Sequence, residues 1–177
     1  VRLTLITAVA AVALTATACT TASSNSTAAP AANTPATASS APPKAAPPKD
    51  ANTVLAALLK AVPTAKAGTV ITEANDGNHL IGRPGQYTSK VTFTDSRIKA
   101  GDVLGNDPTD VGFGGSVEVF ANAKDAKARA DYIQAIVKSM PALLEYDYAH
   151  GNVVVRVSHL LPPSQAGEYD KAAASLG

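Results

Sequence analysis

The chain has 177 residues, with 15 lysines and arginines against 14 aspartates and glutamates. This near-balance, without a basic run interleaved with aromatic residues, argues against nucleic acid as a partner. A single cysteine rules out an internal disulfide framework.

Residues 1–19, VRLTLITAVAAVALTATAC, read as an export signal, with Arg2 as a positive start, an apolar run from Leu3 to Leu14 and small residues before Cys19. The apolar run is about a dozen residues, short of the roughly 20 that a transmembrane helix needs. Ala16-Thr17-Ala18-Cys19 resembles the lipobox of bacterial lipoproteins, although Ala16 stands where leucine is commonest. The resemblance implies a diacylglyceryl group on Cys19 and makes the membrane a partner through acyl chains. The domain would then sit at the outer face of the cytoplasmic membrane, because each buried acyl CH₂ contributes about 0.8 kcal/mol and two or three chains hold firmly. The plainer alternative is signal cleavage after Ala16-Thr17-Ala18 with an incidental cysteine.

Residues 20–49 are alanine, proline, serine and threonine with two asparagines and two lysines, and carry no leucine, isoleucine, valine or aromatic side chain. Ordering such a stretch would not be repaid by burial, so it is expected to be a disordered spacer. Residues 50–177 are then a single domain, large enough to bury a core without staples. All 14 carboxylates but only 12 of the 15 basic side chains fall in it, so the domain itself is slightly acidic.

Within the domain, Asp50 is placed to cap a helix over Ala51–Val62, with Val54, Leu55, Leu58, Leu59 and Val62 on one face and Pro63 ending it. Residues 69–73 (TVITE) and 87–95 (YTSKVTFTD) read as strands. In the second, Tyr87, Val91 and Phe93 alternate with Thr88, Lys90, Thr92 and Thr94, the pattern of a half-buried strand. Residues 100–115 read as a long loop and 116–120 as a strand. Asn122 then caps a helix to about Ser139 with Ala126, Ala130, Ile133 and Val137 inward, widened by Ile136 and Met140. A two-residue turn at Gly151-Asn152 pairs Tyr148 with Val155 and Tyr146 with Val157 on one face, and Asp147 with Arg156 on the other. A last helix over Ser164–Ser175 turns Ala166, Tyr169 and Ala173 inward. The order predicts an α+β domain, a mostly antiparallel sheet with helices packed on one face.

Chemistry-bearing residues concentrate in NDGNHLIGRPGQYTSK, residues 75–90. As a binding site, Asp76, Asn78, His79, Arg83 and Lys90 would converge on a ligand beside the flat wall of Tyr87, with Arg83 and Lys90 suited to an anionic group. As scaffold, Asn75-Asp76-Gly77 is turn chemistry, Arg83-Pro84-Gly85-Gln86 fits a type II turn, and an Asp76–Arg83 pair would hold the loop together. The scaffold reading of that pair is the one expected. Elsewhere, Asp102, Asn106, Asp107 and Asp110 lack the spacing of an EF-hand loop, and Gly112–Ser116 precedes a strand instead of opening a helix. No cofactor motif or nucleophile–base constellation is present.

The runs DGNHLIGRPGQYTSKVTFTD, SVEVFANAKDAKARADYIQAI and NVVVRVSHLLPPSQAGEYDKA resemble a group of actinobacterial lipoproteins and secreted proteins of unknown function. The resemblance covers the folded domain and implies a place in the cell envelope, but no activity. The expectation is a non-enzymatic, lipid-anchored envelope protein that binds a small ligand or an envelope protein. An envelope hydrolase using Asp76 and His79 is the rival, and a structural or inhibitor module the third possibility.

Overall fold

The computed structural model describes residues 50–176. The expected export signal, Cys19 and the expected spacer lie outside the described residues. Helix α1 (Ala51–Ala61) buries Ala51, Val54, Leu55 and Leu58, with Val62 beyond its end also buried. Asp50 occupies the cap position, yet its carboxylate accepts from the Asn52 side chain at 3.2 Å and caps no backbone N–H. The strands are β1 (Ala65–Ile71), β2 (Tyr87–Asp95), β3 (Gly114–Phe120), β4 (Glu145–His150) and β5 (Val153–Ser158). Helix α2 (Ala123–Val137) links β3 to β4, and α3 (Pro163–Ala174) comes after β5.

The five strands form one sheet in the order β1-β2-β3-β5-β4, every neighbouring pair antiparallel. The α+β class and the antiparallel sheet agree with the sequence reading. So does the hairpin register, with Tyr148 opposite Val155, Tyr146 opposite Val157 and Asp147 opposite Arg156. Gly151 takes a φ of 55° at the first turn position, a conformation glycine adopts without the steric cost of a Cβ. The Asn122 side chain accepts from the Asp125 N–H at 3.0 Å, the N-cap expected of it.

Helix placement is finer than expected. Helices α1 and α3 share one face of the sheet, where Val91, Phe93, Val117, Val119, Val153, Val155 and Val157 meet them in the main core. Helix α2 lies on the opposite face, with Ala126 and Ala130 against Tyr87, Phe120 and Val154. One-faced packing therefore holds for α1 and α3 and not for α2. The consequence for β2 is direct: Lys90 and Thr92, expected on a solvated face, are buried. Met140, expected to widen the inward stripe of α2, is 42 % exposed because the helix stops at Val137.

Two local features tune the sheet. In β2 the register against β3 passes from Tyr87–Phe120 to Ser89–Val119, so Thr88 is an extra residue. This bulge turns Tyr87 off the α1/α3 face, to which Ser89, Val91 and Phe93 belong, and onto the α2 face against Phe120. At Gly115 a Cβ would run into the Arg156 carbonyl and the Phe93 ring, so only glycine lets that ring lie across β3 and stack on Tyr169 at 5.0 Å between centroids.

Candidate functional site

The stretch richest in chemistry-bearing residues resolves into an anchor. Asp76 is buried, and its Oδ2 accepts the backbone N–H groups of Leu80 (2.8 Å) and Ile81 (2.9 Å). Its Oδ1 accepts the Asn78 N–H at 3.1 Å, and the Tyr87 hydroxyl donates to the carboxylate at 2.7–2.8 Å. Burial opposes the charge, but the Tyr87 hydroxyl and the three backbone donors outweigh it and hold the carboxyl below its ordinary range. Burial, and then the Asp76 carboxylate, push the Tyr87 phenol well up.

The expected Asp76–Arg83 pair is not formed. Arg83 is exposed and makes no ion pair among the described residues, because Asp76 has spent its lone pairs on the loop's own backbone and on Tyr87. The Arg83–Gln86 turn is as expected, with Gly85 at φ 73° and the Gln86 N–H donating to the Arg83 carbonyl at 3.0 Å. His79 is exposed at a φ of 52°, and Asp76 and His79 do not meet through their side chains. Tyr87 is fully buried and is no wall for a ligand. Of the six residues proposed from sequence, Asp76, Asn78 and Lys90 border a groove on the α2 face of the sheet.

The groove has a volume of about 1040 Å³. It is bordered by α2 and the turn at its C-terminal end, by the 72–86 loop and by the loop between β2 and β3. Its size is at the upper end of small-molecule sites, which run to roughly 1,000 Å³. Tyr132, Ile136, Leu143 and Leu144 contribute apolar side chains from α2 and its C-terminal turn, and Val103 and Leu104 from the loop.

Charged side chains from four strands and α2 meet beneath it. Glu118, at the centre of β3, has no exposed surface. Its Oε1 meets Lys90 Nζ at 3.1 Å and Arg156 Nη1 at 3.2 Å, and its Oε2 meets Arg129 Nε at 3.3 Å. Burial works against ionisation of Glu118, and the charges of Arg156, Lys90 and Arg129 more than reverse this, holding the carboxyl below its ordinary value. Breaking one partner from such a set leaves an uncompensated buried charge, which costs about 3–5 kcal/mol.

Arg156 also grips Glu145 from β4 through Nε and Nη2, at 2.8–3.0 Å. Asp147, two residues along the same strand face, accepts from the Gln134 amide at 2.7 Å and lies 3.8 Å from Arg156 Nε. Glu145 and Asp147 crowd each other. Burial first, then the Asp147 charge, push Glu145 up to about 7 against the pull of Arg156. Asp147 is raised as well, chiefly by burial, so the pair retains a proton well above the ordinary carboxylate range.

Sequence reasoning identified Lys90 but missed Glu118, Arg129, Glu145, Asp147 and Arg156 as one group. A signal was present. Glu118 in SVEVF and Arg156 in VVVRVS stand inside β-branched or aromatic runs that are apolar on both sides. Phe120 and Val154 put an apolar side chain on the same strand face as Glu118 and Arg156, a sign that this face too is covered and that the charges on it are paired.

Comparisons with protein-family models, with curated proteins and with solved structures find no match to this chain. The functional reading therefore rests on the geometry of the groove.

Proposed function

We propose that residues 50–176 form a small-molecule binding domain that is carried at the outer face of the cytoplasmic membrane by acyl chains on Cys19. The observation that carries the binding reading is the groove of about 1040 Å³, with apolar sides over buried charges. A large concave surface that combines apolar walls with a few fixed polar groups is the usual form of a ligand site. The hydrolase alternative loses its support, because Asp76 is occupied by four donors and its side chain does not meet that of His79. A purely structural module would leave the groove without a purpose.

Ala128 lies on the exposed side of α2 at the groove, so Ala128→Trp obstructs the groove without disturbing the core. Native mass spectrometry of the protein incubated with a small-molecule extract of the envelope is expected to show a bound species, and Ala128→Trp is expected to lose it. Equal capture by both proteins, or capture by neither, overturns the binding reading. The anchor is tested separately. Cys19→Ala is expected to move the protein from the membrane fraction to the medium or wall, and retention in salt-washed membranes overturns the lipid-anchor reading.

A further inference from the structure

Resting on the reading of the groove as a binding site, we propose that its ligand is a single-chain anionic amphiphile, with its carboxylate on Lys90 and Arg129 and its alkyl chain along the apolar side chains of α2 and the 141–144 turn.

Hydrogen-bond supply and demand in the groove carries the head-group assignment. An ammonium has three donors and a guanidinium five. Among the described residues, Lys90 directs its ammonium to Glu118 and lies over the Tyr87 ring at 5.1 Å, and Arg129 directs only its Nε to Glu118. The two Nη groups of Arg129 and the remaining Lys90 donors have no protein acceptor among the described residues. Both side chains are nearly covered, with 8 % and 11 % of their surface exposed, so they are held in place where they border the groove.

Several acceptors in the same groove are engaged, although Gln86 Oε1 is buried without a partner and the Asp102 carboxylate borders the groove with no hydrogen bond among the described residues. Glu118 has three cations, Asp76 has its loop and Tyr87, Asp107 accepts from Thr109, and Asp110 accepts from the Gly112 N–H at 2.7 Å. The donors of Lys90 and Arg129 are the cationic ones left open, and a ligand bringing anionic oxygens completes them. Lys90, Arg129 and Arg156 gather on the sheet side of the groove, while Asp76, Asp102, Asp107 and Asp110 border it from its loops, so the cationic spot is local to Lys90 and Arg129.

The alkyl assignment rests on where apolar surface is left uncovered. Large exposed hydrophobic side chains of the described domain include Leu104 (72 %), Tyr132 (59 %), Leu143 (55 %) and Leu144 (44 %), and all four border this groove. Apolar surface gathered around one cleft marks a binding surface, and an alkyl chain laid along it would remove these side chains from water. A sugar or a free phosphate would use the donors and leave this surface wet.

The test uses the full chain and three probes in titration calorimetry: dodecanoate, 1-dodecanol with the same chain and a neutral head, and acetate with the same head and no chain. Dodecanoate is expected to bind at least about tenfold more tightly than dodecanol, the margin of a charge-assisted pair, and acetate not measurably. Arg129→Gln is expected to bring dodecanoate to within about threefold of dodecanol, while circular dichroism reports an unchanged fold. Ala128→Trp is expected to abolish binding of both chains. Equal binding of dodecanoate and dodecanol to the unsubstituted protein overturns the placement of an anionic head on Lys90 and Arg129. If neither long-chain probe binds while the envelope extract still yields a species sensitive to Ala128→Trp, the amphiphile is overturned and the groove remains a site. If that species is absent as well, both readings fail together.

Discussion

The two faces of the sheet solve the same problem differently. On the α1/α3 face, valines from β2, β3 and β5 close against the helices with Phe93 and Tyr169 stacked between them. Its polar atoms are closed off as well, since Asp95 accepts from Tyr169 at 2.6 Å, from Thr64 and from Arg97. On the α2 face a single helix covers the sheet only in part, and six charged side chains hold one another beneath an open groove. A closed apolar layer leaves nothing for a ligand to improve, whereas a charged layer with unused donors does. The contrast sets a face closed for the fold against one left open, where the proposed binding would take place.

The largest expected effect on that contrast comes from Glu118→Ala, which strands three cations in the charged layer. A urea melt should show a loss of about 3–5 kcal/mol. Phe93→Ala on the closed face should cost a similar amount, about 3–5 kcal/mol, through a cavity. A second substitution tells the two apart. Lys90→Met should recover part of the Glu118→Ala loss and none of the Phe93→Ala loss, and additive behaviour in both doubles would count against the ion network.

Next in size is Asp76→Ala, which strips the acceptor from three backbone N–H groups and the Tyr87 hydroxyl. Its cost should be about 1–3 kcal/mol in the same melt, with the 72–86 loop more open to proteolysis.

The pH dependence separates the carboxylates of the molecule by sign. Glu145 has its proton affinity raised by folding, so the folded chain keeps a proton that the unfolded chain releases above its ordinary value of 4.5. Stability should therefore fall as the pH rises from about 5 to about 7 and level off beyond. Asp95, Asp76 and Glu118 act with the opposite sign. Their carboxyls lie below their ordinary values, so their contribution is complete above about pH 5 and is lost on further acidification. Melts across pH should show a maximum near about pH 5, and Glu145→Gln should flatten the neutral limb alone. A limb unchanged in Glu145→Gln would assign it to another group.

The smallest expected effect is that of Arg83→Ala, within about 0.5 kcal/mol, because Arg83 is exposed and unpaired among the described residues. A coupling between Arg83→Ala and Asp76→Ala would restore the pair that the structure lacks.

What was legible in the sequence was local. The Gly151-Asn152 turn sets its own register, and the Asn122 cap needs only Asp125, three residues on. The site was not local. Alternation along β2 shows that Lys90 and Val91 face opposite ways, but not that α2, over thirty residues later, covers the Lys90 side. The partner of Asp76 was misjudged for a related reason. Arg83 is the natural mate by charge, whereas Tyr87 reaches the carboxylate only because the strand gains a residue at Thr88, which alternation cannot show.

That extra residue makes the strand's response to a change in chain length depend on where the change falls. Deleting Thr88 would bring Tyr87 directly before Ser89, and strict alternation would then keep it on the α2 face, opposite to Ser89 and Val91 and within reach of Asp76. The sheet would keep the pairs Tyr87–Phe120 and Ser89–Val119 as consecutive rungs, and the 72–86 loop would keep the phenol that ties it to the strand. Tolerance to one-residue insertions and deletions should therefore be uneven along this domain. It should be low within Lys90–Phe93, where losing one residue turns Lys90 and Val91 to the wrong faces, higher for deletion of the unpaired Thr88, and high around Leu104 to Asp107, where exposed backbone can absorb a change in length.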